Sequence, residues 1–336
     1  MGRFVGSVAA ATAVLIVLLS AAPAGATSPG KNGRIAFRRY FNQAHTYGAI
    51  FTINPDGTGL RQVTRPHKGV LHTQPDWAPN GRWIAFERID PNCCDGARTR
   101  HRLFKVRANG THLTSISQWL PCGDVCPADD DPAWSPSGKR IAFDRDFGPL
   151  GMNHQHGLFV MRADGSLVRQ ITQKTTPTKY DDESPQWSPD ASHLVFQRLN
   201  KATGRLAVFT VRLDGTHARR LTSWRMDAGG NPDWSPNGRW ILFQSHEPHD
   251  RQDNLFMVHP NGTDLHRITH TFGGTYTWYK QTFSPDGTMI SVSRGPAVGA
   301  AGNPDVYVMS LDGSGLRDVT RSTPWESAAD WGPRPR

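Results

Sequence analysis

The chain repeats one two-part phrase six times over its 336 residues. One part is an Asp/Asn-Gly-Thr/Ser turn that follows an apolar run. It stands at Asp56-Gly57-Thr58, Asn109-Gly110-Thr111, Asp164-Gly165-Ser166, Asp214-Gly215-Thr216, Asn261-Gly262-Thr263 and Asp312-Gly313-Ser314. The other part is an aromatic anchor ahead of a Ser-Pro-x-Gly type of turn, at Trp77, Trp134, Trp187, Trp234, Phe283 and Trp331. Successive anchors are 57, 53, 47, 49 and 48 residues apart. A period near fifty, built of short apolar runs and tight turns, points to a radial array of small sheets, each burying its faces against its neighbours.

Each repeat reads as four strands. In the copy that begins at Asp131, Ala133-Trp134-Ser135 is a strand and Pro136-Ser137-Gly138 a tight turn. Pro presets φ there and Gly accepts positive φ. Arg140-Ile141-Ala142-Phe143 returns, and Leu158-Phe159-Val160-Met161 is the third strand. Asp164-Gly165 is a hairpin signal, and Arg169-Gln170-Ile171-Thr172 is the fourth strand. The last anchor, Trp331, has no strand after it, whereas Asn32-Gly33-Arg34-Ile35-Ala36-Phe37 matches Asn80-Gly81-Arg82-Trp83-Ile84-Ala85-Phe86. The expected fold class is all-β: a six-bladed β-propeller of four-stranded antiparallel blades. Pairing of the N- and C-terminal strands closes it and hides a sheet edge.

The run from Pro132-Ala133-Trp134-Ser135-Pro136 through Leu158-Phe159-Val160-Met161-Arg162-Ala163-Asp164-Gly165-Ser166 to Arg169-Gln170-Ile171-Thr172 resembles the WD40-like PD40 repeat of TolB-like six-bladed β-propellers. The resemblance covers residues 31–336. It is specific for fold and weak for function. It implies an exported ring whose best-known relative binds proteins of a cell-envelope complex; related rings precede peptidase domains or act as polysaccharide lyases. This sequence departs from the pattern at Phe283, where Trp is usual, at Ala191, where Gly is usual, and at Ala78 and Gly332, where Ser is usual. No segment matches the α/β domain that precedes the propeller in TolB.

Export is also written in the N-terminus. Arg3, an uncharged apolar run from Val8 to Leu19, and Ala24-Gly25-Ala26 form a signal peptide over residues 1–26. The propeller then occupies residues 27–336, secreted or in the periplasm, with no stable membrane span after cleavage. The run is shorter than the ~20 residues a span needs. All four cysteines, Cys93, Cys94, Cys122 and Cys126, lie between the first two anchors, and an even number in an exported chain reads as two disulfides. The adjacent pair suits a four-thiolate zinc site poorly.

Long loops between strands two and three, and between repeats, share one end of the ring, and variable loops on a rigid scaffold carry recognition. The residues five before each anchor, His72, Asp129, Asp182, Trp278 and Glu326, are expected at the channel mouth on that end, with Gly229 in the remaining blade. Trp325, His156 and His246 join them as candidate partner-binding residues. No catalytic residue and no metal ligand is assigned. No cofactor is called for; calcium is the ion that Asp129-Asp130-Asp131 and Asp181-Asp182 would suit. No G-x-S-x-G nucleophile elbow occurs. The net charge is +9, but the basic residues are spread through every repeat, and an exported chain seldom meets nucleic acid, so no nucleic-acid partner is expected. The sequence therefore favours a monomeric, non-catalytic scaffold that binds a protein or cell-envelope polymer. The alternative is a propeller enzyme, a polysaccharide lyase or glycan hydrolase.

Overall fold

A computed structural model describes residues 29–91, 100–117, 127–147, 155–173, 178–246, 253–271, 276–296 and 302–335. Residues 1–26, expected to be a signal peptide, and all four cysteines lie outside the described residues. Apart from one 3₁₀ turn at Trp224–Met226, the described elements are strands. No helix among them is long and apolar enough to cross a membrane.

Four sheets are four-stranded and antiparallel, and each runs from anchor strand to outer strand in chain order. In one of them, Ala128–Trp134 pairs with Arg140–Asp146, then His156–Arg162, then the two-residue strand Arg169–Gln170. The remaining eight-stranded sheet is two such units joined by a single parallel contact between Gly48 and Leu71. One of these units is made from both ends of the chain: Glu326–Pro333 pairs with Asn32–Tyr40, with Trp331 opposite Ile35. The six anchor strands touch in sequence, Leu71–Trp77 against Ala128–Trp134 and onward, and Glu326–Pro333 lies against Leu71–Trp77 again.

The core lies between sheets. One cluster joins Ala133, Leu158 and Val160 of one unit to Trp187, Phe196 and Phe209 of the next. Another joins Val306 and Val308 to Ile35, Phe37 and Trp331. Every anchor ring is buried, and a Trp of this kind removes roughly 150–250 Å² from water. Where the last anchor meets the first, space is exhausted: a Cβ on Gly332 would stand 2.3 Å from Trp77 Cγ. That contact explains the glycine in place of the usual serine.

The polar residues of the repeat satisfy its backbone. In each Asp/Asn-Gly-Thr/Ser turn the acidic or amide oxygen accepts the N–H two residues on, as Asp56 does from Thr58 at 2.9 Å. Asn109 and Asn261 do the same, so these sequon-like triplets are structural turns. The Thr just past an outer strand, or Ser117 in one blade, accepts a third-strand N–H, as Thr172 does from Leu158. Arginines of the outer strands tie one unit to the next: Arg61 donates to the Asn109 carbonyl, Arg169 to Leu213 and Arg317 to Pro55.

Candidate functional site

Each anchor strand contains a break in its register just before the anchor. It falls between four residues and one residue before Trp77, Trp134 and Trp187, and begins five residues before Trp234 and Phe283. At the break, Gln74, Asp131, Ser184, Asn231 and Ala328 hold φ between 46° and 58°. These are β-bulges, and an extra residue reverses which face the preceding side chains occupy. Asp131, Ser184, Asn231 and Lys280, all three residues before an anchor, line one small cavity, which locates the axis where four units converge.

The bulge corrects the expected mouth. The residues five before the anchor turn into the sheets instead of opening onto a partner. Asp129 and Asp182 are buried and each grips an arginine of the paired strand in a fork. Arg145 donates to Asp129 at 2.5 and 3.0 Å, and Arg198 to Asp182 at 2.5 and 2.8 Å. Glu326 pairs with Arg39 through a single oxygen, Oε1, which faces both Nε and a terminal nitrogen of the guanidinium. These guanidinium groups lie over third-strand rings: Arg145 over Phe159, Arg198 over Phe209 and Arg39 over Phe51. Trp278 is buried in the core, donates to Thr271 Oγ1 at 3.0 Å and sits beneath Arg294. His72 faces Phe86 with no hydrogen-bond partner among the described residues for either ring nitrogen. Burial, reinforced by Arg88, pushes its pKa down to about 3. His246 ends the strand Ile241–His246, opposite Asp253.

Residues one position closer to the bulge form the mouth. Asp130 meets His101 Nδ1 at 2.6 Å, and Glu87 reaches the same nitrogen at 2.8 Å. In the next unit His156 Nδ1 stands 3.3 Å from Asp144 and 3.9 Å from Glu183. Burial disfavours the imidazolium of His101, but hydrogen bonds to Asp130 and Glu87 outweigh it and lift its pKa to about 10. His156 rises to about 9 against the same burial, through Asp144. Burial and the Glu87 charge raise Asp130 to about 7, and burial raises Asp144 well above the carboxylate range.

Arg38 links this arc to an aromatic wall. Its guanidinium donates to Thr73 and Ser327 and lies 4.4 Å from the Tyr40 ring centre. It is also in electrostatic reach of Glu87, Asp131 and Tyr279. Trp325 packs against His45 at 4.2 Å, with Tyr279 and Tyr40 about the same indole at 5.9 and 6.3 Å. Of the sequence candidates, Trp325 and His156 therefore reach the mouth, whereas His72, Asp129, Asp182, Trp278 and Glu326 support it from behind. Sequence reasoning named Asp130 only as part of an acidic run and missed Glu87, His101, Asp144, Glu183, Arg38 and Tyr279. The signal was a proline inside the strand, at Pro75, Pro132, Pro185 and Pro232, because Pro in a paired strand marks a bulge.

A cleft of about 590 Å³ opens at the opposite end, beside the seam between chain ends. Its inward arginine, Arg34, is already committed to Thr52, Asn54 and the Gly59 carbonyl.

No protein-family model and no curated protein matches the chain. Solved structures do. TolB from Acinetobacter baumannii superposes with a TM-score of 0.65 at 18% identity, over 92% of this chain and 68% of that one. The fold is a TolB-like β-propeller. A chain of a nidogen/laminin complex matches with a TM-score of 0.60 at 12% identity, over 88% of this propeller and 98% of that chain. Oligogalacturonate lyase from Vibrio parahaemolyticus matches at 0.55 and 13% identity, over 85% and 78%.

Proposed function

We propose that this propeller is an exported, monomeric six-bladed ring that binds a hydroxyl-rich cell-envelope polymer at its loop-bearing mouth without turning it over. The six anchor strands that touch in a cycle, and the pairing of Asn32–Tyr40 with Glu326–Pro333, support the blade count and the closure. The signal-like residues 1–26 and the paired cysteine count support secretion or a periplasmic location.

One observation carries the binding reading: a half-buried aromatic wall and an arc of carboxylates meet at Arg38, on the end where the loops differ. Aromatic faces take the C–H faces of sugar rings, and carboxylates accept from hydroxyls. The opposite end is a ring of near-identical turns whose polar groups are mostly satisfied within the turn. Co-sedimentation of the protein with insoluble envelope polysaccharide tests this. The reading fails if the protein stays in the supernatant, and a protein partner captured at the same mouth would replace the polymer.

The enzyme reading has its own observation. Glu87, His101 and Asp130 converge closely enough to act on one substrate atom, and a lyase shares the fold. Release of soluble fragments from the bound polymer would decide for it.

A further inference from the structure

Two consecutive blades carry the same three-part donor set, and among the described residues no other blade does. The first set is Glu87 on the second strand, His101 on the third and Asp130 on the next blade's anchor strand. The second set is Asp144, His156 and Glu183 in the equivalent places. Strand register confirms the equivalence: His101 lies opposite Ile89, and His156 opposite Asp146 one blade later. The same third-strand place holds Leu206, Asp253 and Gly48 in other blades, opposite Leu199, His246 and Tyr40. Second-strand equivalents of Glu87 and Asp144 are Gln197, Gln244, Ser293 and Arg38. A merely solvated rim has no reason to change three separated positions together, twice, in adjacent repeats.

The geometry within the first set is that of ligands. One oxygen each from Glu87 and Asp130, and Nδ1 of His101, all lie within 4.8 Å of one another, and so do the donor atoms of Asp130, Asp144 and His156. Both carboxylates of the first set address the same imidazole nitrogen, which carries at most one hydrogen. Both oxygens compete for that hydrogen, whereas one cation can bind both oxygens and the nitrogen together. Bonds of ~2.1 Å at tetrahedral angles place donor atoms roughly 3.4 Å apart. The present 2.6 and 2.8 Å separations reach that by opening less than 1 Å. The His101 and Asp130 side chains are 30% and 19% exposed, so an ion and a completing water have access.

We propose that Glu87, His101 and Asp130 hold one divalent transition-metal ion at the mouth, with Asp144 and His156 flanking Asp130. Mixed imidazole and carboxylate donors favour Zn²⁺ over Ca²⁺, which takes oxygen alone, and Mn²⁺, which takes carboxylate oxygen, serves as the paramagnetic probe of the same site. The site stands on its own donors and does not depend on the polymer reading.

The test is titration of the full-length, chelator-stripped protein with MnCl₂ followed by electron paramagnetic resonance, and with ZnCl₂ by calorimetry. No polymer is present, so failure here leaves the binding reading untouched. One equivalent should bind. Asp130→Asn and His101→Gln should each weaken it at least tenfold, while Leu167→Ser on the turn end should not. If Asp130→Asn fails to fold, the partly exposed His101→Gln gives the same readout. Absence of binding up to millimolar ion overturns the proposal. So does binding that survives both substitutions, which would place the ion elsewhere, as on the cysteines.

Discussion

The carboxylate of Asp330 accepts the backbone N–H of Trp77 at 2.6 Å, joining the last strand of the chain to the first complete blade. Asp76 does the same for Trp134 at 2.7 Å, and Asp233 for Phe283 at 2.7 Å. The carboxylate before one anchor thus holds the next anchor in place. Asp76 and Asp330 are both buried, with Lys280 as the cation between them; burial raises the pKa of each carboxyl and Lys280 opposes the rise.

Asp330→Ala should therefore cost about 3–5 kcal/mol, because it strands a buried N–H and unbalances Lys280. Denaturant unfolding at neutral pH measures it. A loss under about 0.5 kcal/mol would mean that the seam does not depend on this bond.

His72 predicts an acid weakness. Its pKa is about 3 in the fold and about 6.5 when unfolded, so the unfolded chain binds the extra proton between those values. The stabilising contribution is complete above about pH 7 and is lost as pH falls from 6.5 toward 3. The charged groups facing it are Arg88 and Asp90, themselves ion-paired. Between pH 7 and pH 5, His72→Phe should lose about 2 kcal/mol less stability than the parent chain. Equal losses in paired denaturant curves would show that His72 is not the titrating group.

Most of the fold was legible because its period rests on turn chemistry, and turns such as Asp164-Gly165-Ser166 need particular residues at particular places. The mouth was legible only in part. Counting five residues back from Trp134 selects Asp129, but the bulge at Asp131 inverts the phase and brings Asp130 to the mouth. His101 was out of reach for a different reason: it meets Asp130 across two blades, a contact that no local spacing encodes.

The same inversion reverses an expectation for Asp182. As a mouth residue it would be replaceable at no cost in stability. As a buried partner of Arg198 and Gln173, Asp182→Ala should lower stability by about 3 kcal/mol. An unchanged melting temperature would return Asp182 to the surface.

Ala191 occupies the turn position where the other repeats use glycine, and it holds φ at 57°. A left-handed residue with a Cβ is strained by roughly 1–2 kcal/mol, partly offset by the greater freedom of glycine in the unfolded chain. Ala191→Gly should stabilise the ring by about 0.5–1 kcal/mol in equilibrium unfolding. A destabilised variant would show that the turn is not strained.

The placement of function at the loop-bearing mouth is tested most directly by comparing polysaccharide affinity across the two ends of the ring. The variants are Trp325→Ala and Glu183→Gln at the mouth, against Leu167→Ser on the turn end, where Leu167 is 65% exposed. The account predicts at least a tenfold loss of affinity for each mouth variant, with folding intact, and no change for Leu167→Ser. Normal binding by both mouth variants, together with a loss in Leu167→Ser, would contradict it.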